Sequence, residues 1–150
     1  MSDAKRFAAI FDGLKQAYGT FEIDSTKANG KNTGKARVVR EPRTMDHFEQ
    51  HLAGEGAGIG IIPINEEDSC KWGCIDIDEY PLDHGRLIEK IRHGKLPLVV
   101  CRSKSGGAHC FLFSSEWVTA KKMQSTLQHL SSGLGYGDSE IFPKQIKLGS

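Results

Sequence analysis

Two apolar runs, residues 98–103 (LVVCRS) and 109–114 (HCFLFS), are separated by only the five residues KSGGA. That arrangement reads as an antiparallel hairpin with a wide, glycine-rich turn, and it commits the chain to at least one sheet. Further strands are read at 59–64 (IGIIPI), 72–78 (WGCIDID) and 139–142 (SEIF), where Pro143 limits the last one. Helical spacing accounts for much of the rest. Phe7, Ile10, Phe11, Leu14 and Tyr18 predict a first helix over 4–18. Thr44 opens a second, running to Leu52 with Met45 and Phe48 on its apolar face, before Gly54, Gly56, Gly58 and Gly60 break it. Asp83 caps a third over 84–93, with Leu87, Ile88 and Ile91 inward, and Thr119 opens a fourth to Ser132. The polar stretch 25–35 (STKANGKNTGK) reads as a mobile loop between short extended pieces near 20–24 and 36–40. The 150 residues suffice for one domain with its own core.

Charge excludes some functions and suggests others. The balance of 20 Lys and Arg against 19 Asp and Glu rules out a histone-like basic coat and an acidic disordered tail. The distribution is uneven: residues 44–59 carry three acids and no base, and 60–100 carry eight acids to five bases. The flanks 19–43 and 101–150 each carry six bases to three acids. This is either ordinary variation on a neutral surface or a metal-holding centre between phosphate-gripping arms. No apolar run approaches the ~20 residues of a membrane span, and residues 1–14 (MSDAKRFAAIFDGL) show no apolar h-region followed by a small-residue cleavage site, so no signal peptide is expected there. Four cysteines without an export signal point to reduced thiols in a cytoplasmic setting. Cys70 and Cys74 are not in C-x-x-C spacing, and Cys74, Cys101 and Cys110 fall in expected strands, so packing is favoured over zinc. His47 and His51 are spaced i, i+4, but no H-E-x-x-H is present, which favours a surface role.

Reactive side chains concentrate in three places. Asp76 and Asp78 end an apolar strand and alternate to one face while Ile75 and Ile77 face the core. They read as a divalent-cation site or as a solvated acid pair. Residues 102–109 (RSKSGGAH) combine Arg102, Lys104, Ser105 and His109 with a glycine turn containing Gly107. They read as an anion cradle suited to a triphosphate or as a plain hairpin turn, and no Walker loop is present. Glu140 and Lys144 flank the last strand as a third ligand and a phosphate contact, or as surface charges. The intervals are equal, 31 residues from Asp78 to His109 and 31 from His109 to Glu140. Three carboxylates with an anion cradle are the components of metal-assisted phosphoryl transfer.

These residues resemble the motifs of the archaeo-eukaryotic primase (primase-polymerase) superfamily. Asp76 and Asp78 in GCIDIDEY match its D-x-D motif, Ser105, Gly107 and His109 in KSGGAHCFLF match S-x-G-x-H, and Glu140 in SEIFPKQ is the candidate third acid. The wording HLAGEGAGIGIIPI and EIFPKQ is similar to phage, plasmid and mobile-element members, and the resemblance covers roughly 46–148. It implies an α+β fold: a mixed sheet like that of an RNA-recognition module with packed helices (46–150), joined to a small N-terminal α/β unit (1–45).

It further implies a template-directed nucleotidyltransferase acting in DNA replication. Asp76, Asp78 and Glu140 would hold two Mg²⁺ or Mn²⁺ ions. Ser105, Gly107, His109 and Lys104 would bind the triphosphate, with Arg102 and Lys144 assisting, and His109 would serve as a phosphate donor rather than a general base. The basic segment 27–43, with Lys27, Lys31, Lys35, Arg37, Arg40 and Arg43, would track the DNA template, or is a solvated loop. Implied partners are a DNA template and primer, nucleoside triphosphates and a helicase or replication protein. The protein is expected to act as a monomer, off the membrane, in the cytoplasm (the host's, if mobile-element encoded), with further sheet and helical regions expected beyond Ser150. Two other readings use the same residues: a metal-dependent nuclease or phosphodiesterase, and a non-catalytic nucleotide- or nucleic-acid-binding module.

Overall fold

The computed structural model describes residues 1–26, 28 and 32–149. Its elements run α1 (Asp3–Ile10), β1 (Tyr18–Thr26), β2 (Asn32–Val39), α2 (Met45–Ala53), β3 (Gly58–Gly60), β4 (Ser69–Ile77), α3 (His84–His93), β5 (Val99–Arg102), β6 (Ala108–Thr119), α4 (Ala120–Leu134) and β7 (Glu140–Phe142). The α+β class is borne out, in the form of two antiparallel sheets ordered β2-β1-β3 and β5-β6-β4-β7. Short-range chemistry sets the helix ends. The Asp83 carboxylate accepts the Arg86 amide at 3.0 Å, and the Thr119 hydroxyl accepts the Lys122 amide at 3.2 Å. Gly54 and Gly135 close α2 and α4 in the left-handed conformation, at φ 71° and 87°.

The core lies between the four-stranded sheet and helices α3 and α4. Ile75, Ile77, Ala108 and Cys110 face Leu87, Ile91, Met123 and Leu127, all of them buried. Gly73 admits α4 closely, since a Cβ there would stand 2.5 Å from Leu127 Cδ1 and 2.8 Å from Met123 Cγ. On the opposite sheet face the N-terminal layer covers one end only. Phe11 meets Trp72, Phe111 and Phe113 at centroid separations of 5.2, 5.3 and 5.6 Å, and the Trp72 indole N–H donates to Asp12 O at 2.8 Å. The other end of that face, bearing Asp76 and His109, stays open.

Several boundaries differ from expectation for physical reasons. The first helix stops at Ile10 because Gly13 must pass against Ile62 O, 2.2 Å from where a Cβ would sit, to let Leu14 N bond that carbonyl at 2.9 Å. The polar stretch at 25–35 is not all loop. Ser25 and Thr33 hydroxyls bond across the strands at 2.7 Å, so β1 and β2 continue to Thr26 and from Asn32. The strand expected at 59–64 ends at Gly60, since Ile62 turns its carbonyl to Leu14 and Pro63 has no N–H to offer. β3 pairs with β1, which places it in the N-terminal sheet.

Two side chains differ in role. Arg43, read as a template contact, is instead structural: its side chain is 8% exposed, ion-paired to Asp12 at 2.8 Å, bonded to Leu14 O at 2.9 Å and stacked over Phe48. Cys101, expected to pack, is exposed, because β5 is the sheet's edge and Cys101 lies opposite His109 on the open face. His47 accepts the Thr44 amide at 3.0 Å and His51 accepts the Ile59 amide at 3.4 Å, so both serve the local fold.

Candidate active site

β4 is central, and its register assembles the site. Asp76 lies opposite His109 on β6 and opposite Glu140 on β7, so three residues far apart in sequence share one row across the sheet. Directly opposed residues have Cβ atoms about 4.5–5.5 Å apart. The His109 Nε2 stands 3.3 Å from Asp76 Oδ1, and Lys144 pairs with Glu140. Burial is the main force raising the Asp76 carboxyl above its ordinary range. The Asp78 charge adds to it, as does Glu140 more weakly, while His109 and Lys144 pull the other way.

The glycine turn between β5 and β6 is folded down onto β4. Ser103 N bonds Gly107 O at 3.0 Å, and Gly106 N bonds Ser103 O at 3.1 Å with Gly106 at φ 98°. A Cβ at Gly107 would lie 2.2 Å from Ile77 O, so only glycine permits this approach. The His84 ring donates from Nε2 to Gly107 O at 2.9 Å and clamps the turn from the start of α3. The Tyr80 hydroxyl donates to Asp78 Oδ1 at 2.9 Å and therefore accepts from the Ser105 hydroxyl at 2.8 Å. The acid strand and the glycine turn are thus joined by backbone contact and by a hydroxyl relay.

Two hollows meet at the acids. Asp76 and Asp78 line a cleft of about 980 Å³ together with Arg102, Lys104, Ser105, His109 and Lys144, and its far wall is the N-terminal sheet. On their other side they line a pocket of about 530 Å³ with Glu79, Asp138 and Glu140. The carboxylates therefore stand between a cationic hollow and an anionic one. Gly107 is buried beneath the turn. Of the expected template residues, Arg37 borders the cleft and is ion-paired to Glu22, while Lys35 and Arg40 are exposed and outside it. Lys27 and Lys31 lie outside the described residues.

The model of a protein family described as the archaeo-eukaryotic primase domain of TOTE conflict systems matches residues 11–145. The chain belongs to this family. A search among curated proteins finds no match. Archaeo-eukaryotic primase domains form a primase-like nucleotidyltransferase family whose members typically use divalent metals. In this primase domain the donor chemistry fits such ions: hard carboxylate oxygens at adjacent register positions, one of them raised in pKa by burial first and by its like-charged neighbours second. As the side chains stand, each acid faces a protein partner (Asp76 His109, Asp78 Tyr80, Glu140 Lys144). No three metal-ligating side chains among the described residues converge on one point. No described helix is long and apolar enough to cross a membrane.

Sequence reasoning missed Tyr80, His84, Glu79 and Asp138. Glu79 and Tyr80 directly follow the D-x-D, and Asp138 precedes Glu140 by two, so proximity to the motifs was the available signal. His84 had none, because its role depends on α3 starting beside the glycine turn.

Proposed function

We propose that this primase-family domain is a template-directed DNA primase-polymerase that joins nucleoside triphosphates. The observation that carries the reading is the row His109, Asp76, Glu140, locked to a glycine turn that presents Ser105 and Lys104 to the same cleft. Asp76, Asp78 and Glu140 are the residues that would hold two Mg²⁺ or Mn²⁺ ions. When bound, such ions lower the pKa of a primer 3′-hydroxyl and stabilise departing pyrophosphate. The residues around them bind and orient. The hydroxyl of Ser105 and the charges of Lys104, Arg102 and Lys144 grip the triphosphate and offset the charge that builds during transfer. His109, held by Asp76 in the free protein, directs its Nε2 proton to a phosphate oxygen when Asp76 turns away. Gly107 and His84 fix the turn that makes this geometry repeatable.

A DNA template is proposed to run along Lys31, Lys35, Arg37 and Arg40, with salt-dependent affinity. A replication partner such as a helicase, action as a monomer and a cytoplasmic setting belong to the same proposal, as does the division into a 1–45 unit and a 46–150 core. The test is a labelled primer–template incubated with Mg²⁺ or Mn²⁺. Lengthening that requires nucleotides and is lost in Asp76→Ala with Asp78→Ala supports the reading. Shortening without nucleotides moves the assignment to a nuclease or phosphodiesterase, and tight nucleotide binding without turnover moves it to a non-catalytic module.

A further inference from the structure

The cleft continues beyond the acids to the N-terminal sheet, and the sheet face it meets carries small and apolar side chains. Register and alternation place Gly19 and Phe21 of β1, Ala36 and Val38 of β2 and Gly58 and Gly60 of β3 on that face. Phe21 is the aromatic of this face; the cleft's other phenylalanine, Phe142, belongs to β7 beside the acids, with the Lys144 ammonium 5.1 Å from its ring centroid. The Phe21 ring reaches Gly34 of β2, where an added Cβ would stand 2.8 Å from the ring's Cζ. The Lys104 ammonium lies over the ring, 3.4 Å from its centroid. Lys104 is an exposed residue of the glycine turn, next to Ser105. One lysine side chain therefore spans the gap between an aromatic plane and the turn read above as the triphosphate cradle. A nucleotide must bridge the same gap, with its base at one end and its phosphates at the other.

We propose that Phe21 is the stacking platform for the base of the incoming nucleotide, and that Lys104 covers the ring in the free protein and passes to the phosphates when the base arrives. The inference rests on the function proposed above and deepens it. A ring among glycine, alanine and valine offers a π face, and none of these neighbours has a side-chain hydrogen-bonding group to read base edges. Stacking of this kind tolerates every base, as a site must where the template makes the choice. An ammonium is the natural placeholder: it is attracted to the ring, and it leaves for a polyphosphate, which offers it full negative charge.

The test is equilibrium binding in Mg²⁺ of dATP, dTTP, inorganic tripolyphosphate and a single-stranded oligonucleotide to wild type, Phe21→Ala and Phe21→Trp, each checked for folding by circular dichroism. Phe21→Ala is expected to weaken both nucleotides about 5- to 150-fold, the range for losing one base–aromatic stack, and to leave tripolyphosphate unchanged. Phe21→Trp should retain nucleotide affinity and show indole quenching by nucleotide but not by tripolyphosphate, over the wild-type background of Trp72 and Trp117. Unchanged nucleotide affinity in folded Phe21→Ala overturns the inference. So does equal weakening of nucleotide and tripolyphosphate, which makes Phe21 a support for the turn. Weakening of the oligonucleotide alone also overturns it and gives the face to the template. If wild type binds no nucleotide at all, the proposed function itself fails, a result distinct from these.

Discussion

Replacing Gly107 by alanine tests how closely the glycine turn must sit on the acid strand. The added Cβ would stand 2.2 Å from Ile77 O and 3.3 Å from both Ile77 C and Ser103 Oγ. The near atom is backbone in the central strand and cannot rotate away, so the turn must lift by roughly 1 Å. Overpacking of this kind costs about 1–3 kcal/mol, and in a domain of this size each kcal/mol lowers Tm by about 2–4 °C. Gly107→Ala should therefore fold, with Tm lower by roughly 2–12 °C. The functional loss should be larger than the stability loss suggests, because the lifted turn carries Ser105 and Lys104 away from Asp78. A 1 Å misplacement in a reacting site can cost about 100-fold in rate. Differential scanning calorimetry and primer extension on the same samples measure both. His84→Ala, which removes the clamp on Gly107 O without adding bulk, should share the functional loss with a smaller fall in Tm. A Gly107→Ala protein with wild-type Tm and full nucleotide incorporation refutes the argument that close backbone approach fixes the site.

Asp76→Asn should raise Tm by a few degrees, as removal of a charge that the fold disfavours commonly stabilises by about 0.5–2 kcal/mol, while abolishing metal-dependent incorporation. Because the folded Asp76 holds its proton more tightly than the unfolded chain does, wild type loses stability relative to this variant as pH rises from the ordinary value of 3.8 through the raised folded pKa. Denaturant titrations across that range, in chelator, should show the gap widening with pH and then levelling off. Thiol titration should find one fast cysteine, the exposed Cys101, in the native protein and four after denaturation. Burial pushes Cys70 and Cys110 up to about 11 and Cys74 higher still, and the thiolate is the reactive form. Arg43→Ala should cost about 1.5–3 kcal/mol through loss of its hydrogen bonds to Asp12 and Leu14 O, seen as a lower denaturant midpoint without a matching fall in DNA affinity.

The sequence made the site more legible than the layer that faces it. Asp76, Asp78, Ser105, His109 and Glu140 are picked out by their resemblance to the family's motifs, and strand alternation and a five-residue turn, which are local properties, put them at strand ends. The register that lines up His109, Asp76 and Glu140 is not local: it follows from the pairing of β4 with both β6 and β7, and no single stretch encodes that. α3 is legible to its residue limits, since Asp83 and Gly94 mark its ends with side-chain and backbone chemistry. The N-terminal helix is misread because the apolar spacing continues through Leu14 and Tyr18, while the deciding contact, Gly13 against Ile62 O, is tertiary. Arg43 shows the same limit: a basic residue in a basic stretch looks like a phosphate contact until Asp12 and Phe48 are seen to enclose it.

The central claim is that the three acids are the metal ligands of a nucleotidyltransferase. The most direct measurement is a crystal structure of the protein with a nucleoside triphosphate and Mn²⁺. Asp76, Asp78 and Glu140 are expected to leave His109, Tyr80 and Lys144 and to lie within about 2.0–2.3 Å of the ions, with the phosphates against Ser105 and Lys104. Ions and nucleotide bound elsewhere, with the three acids still turned to their protein partners, would contradict the claim.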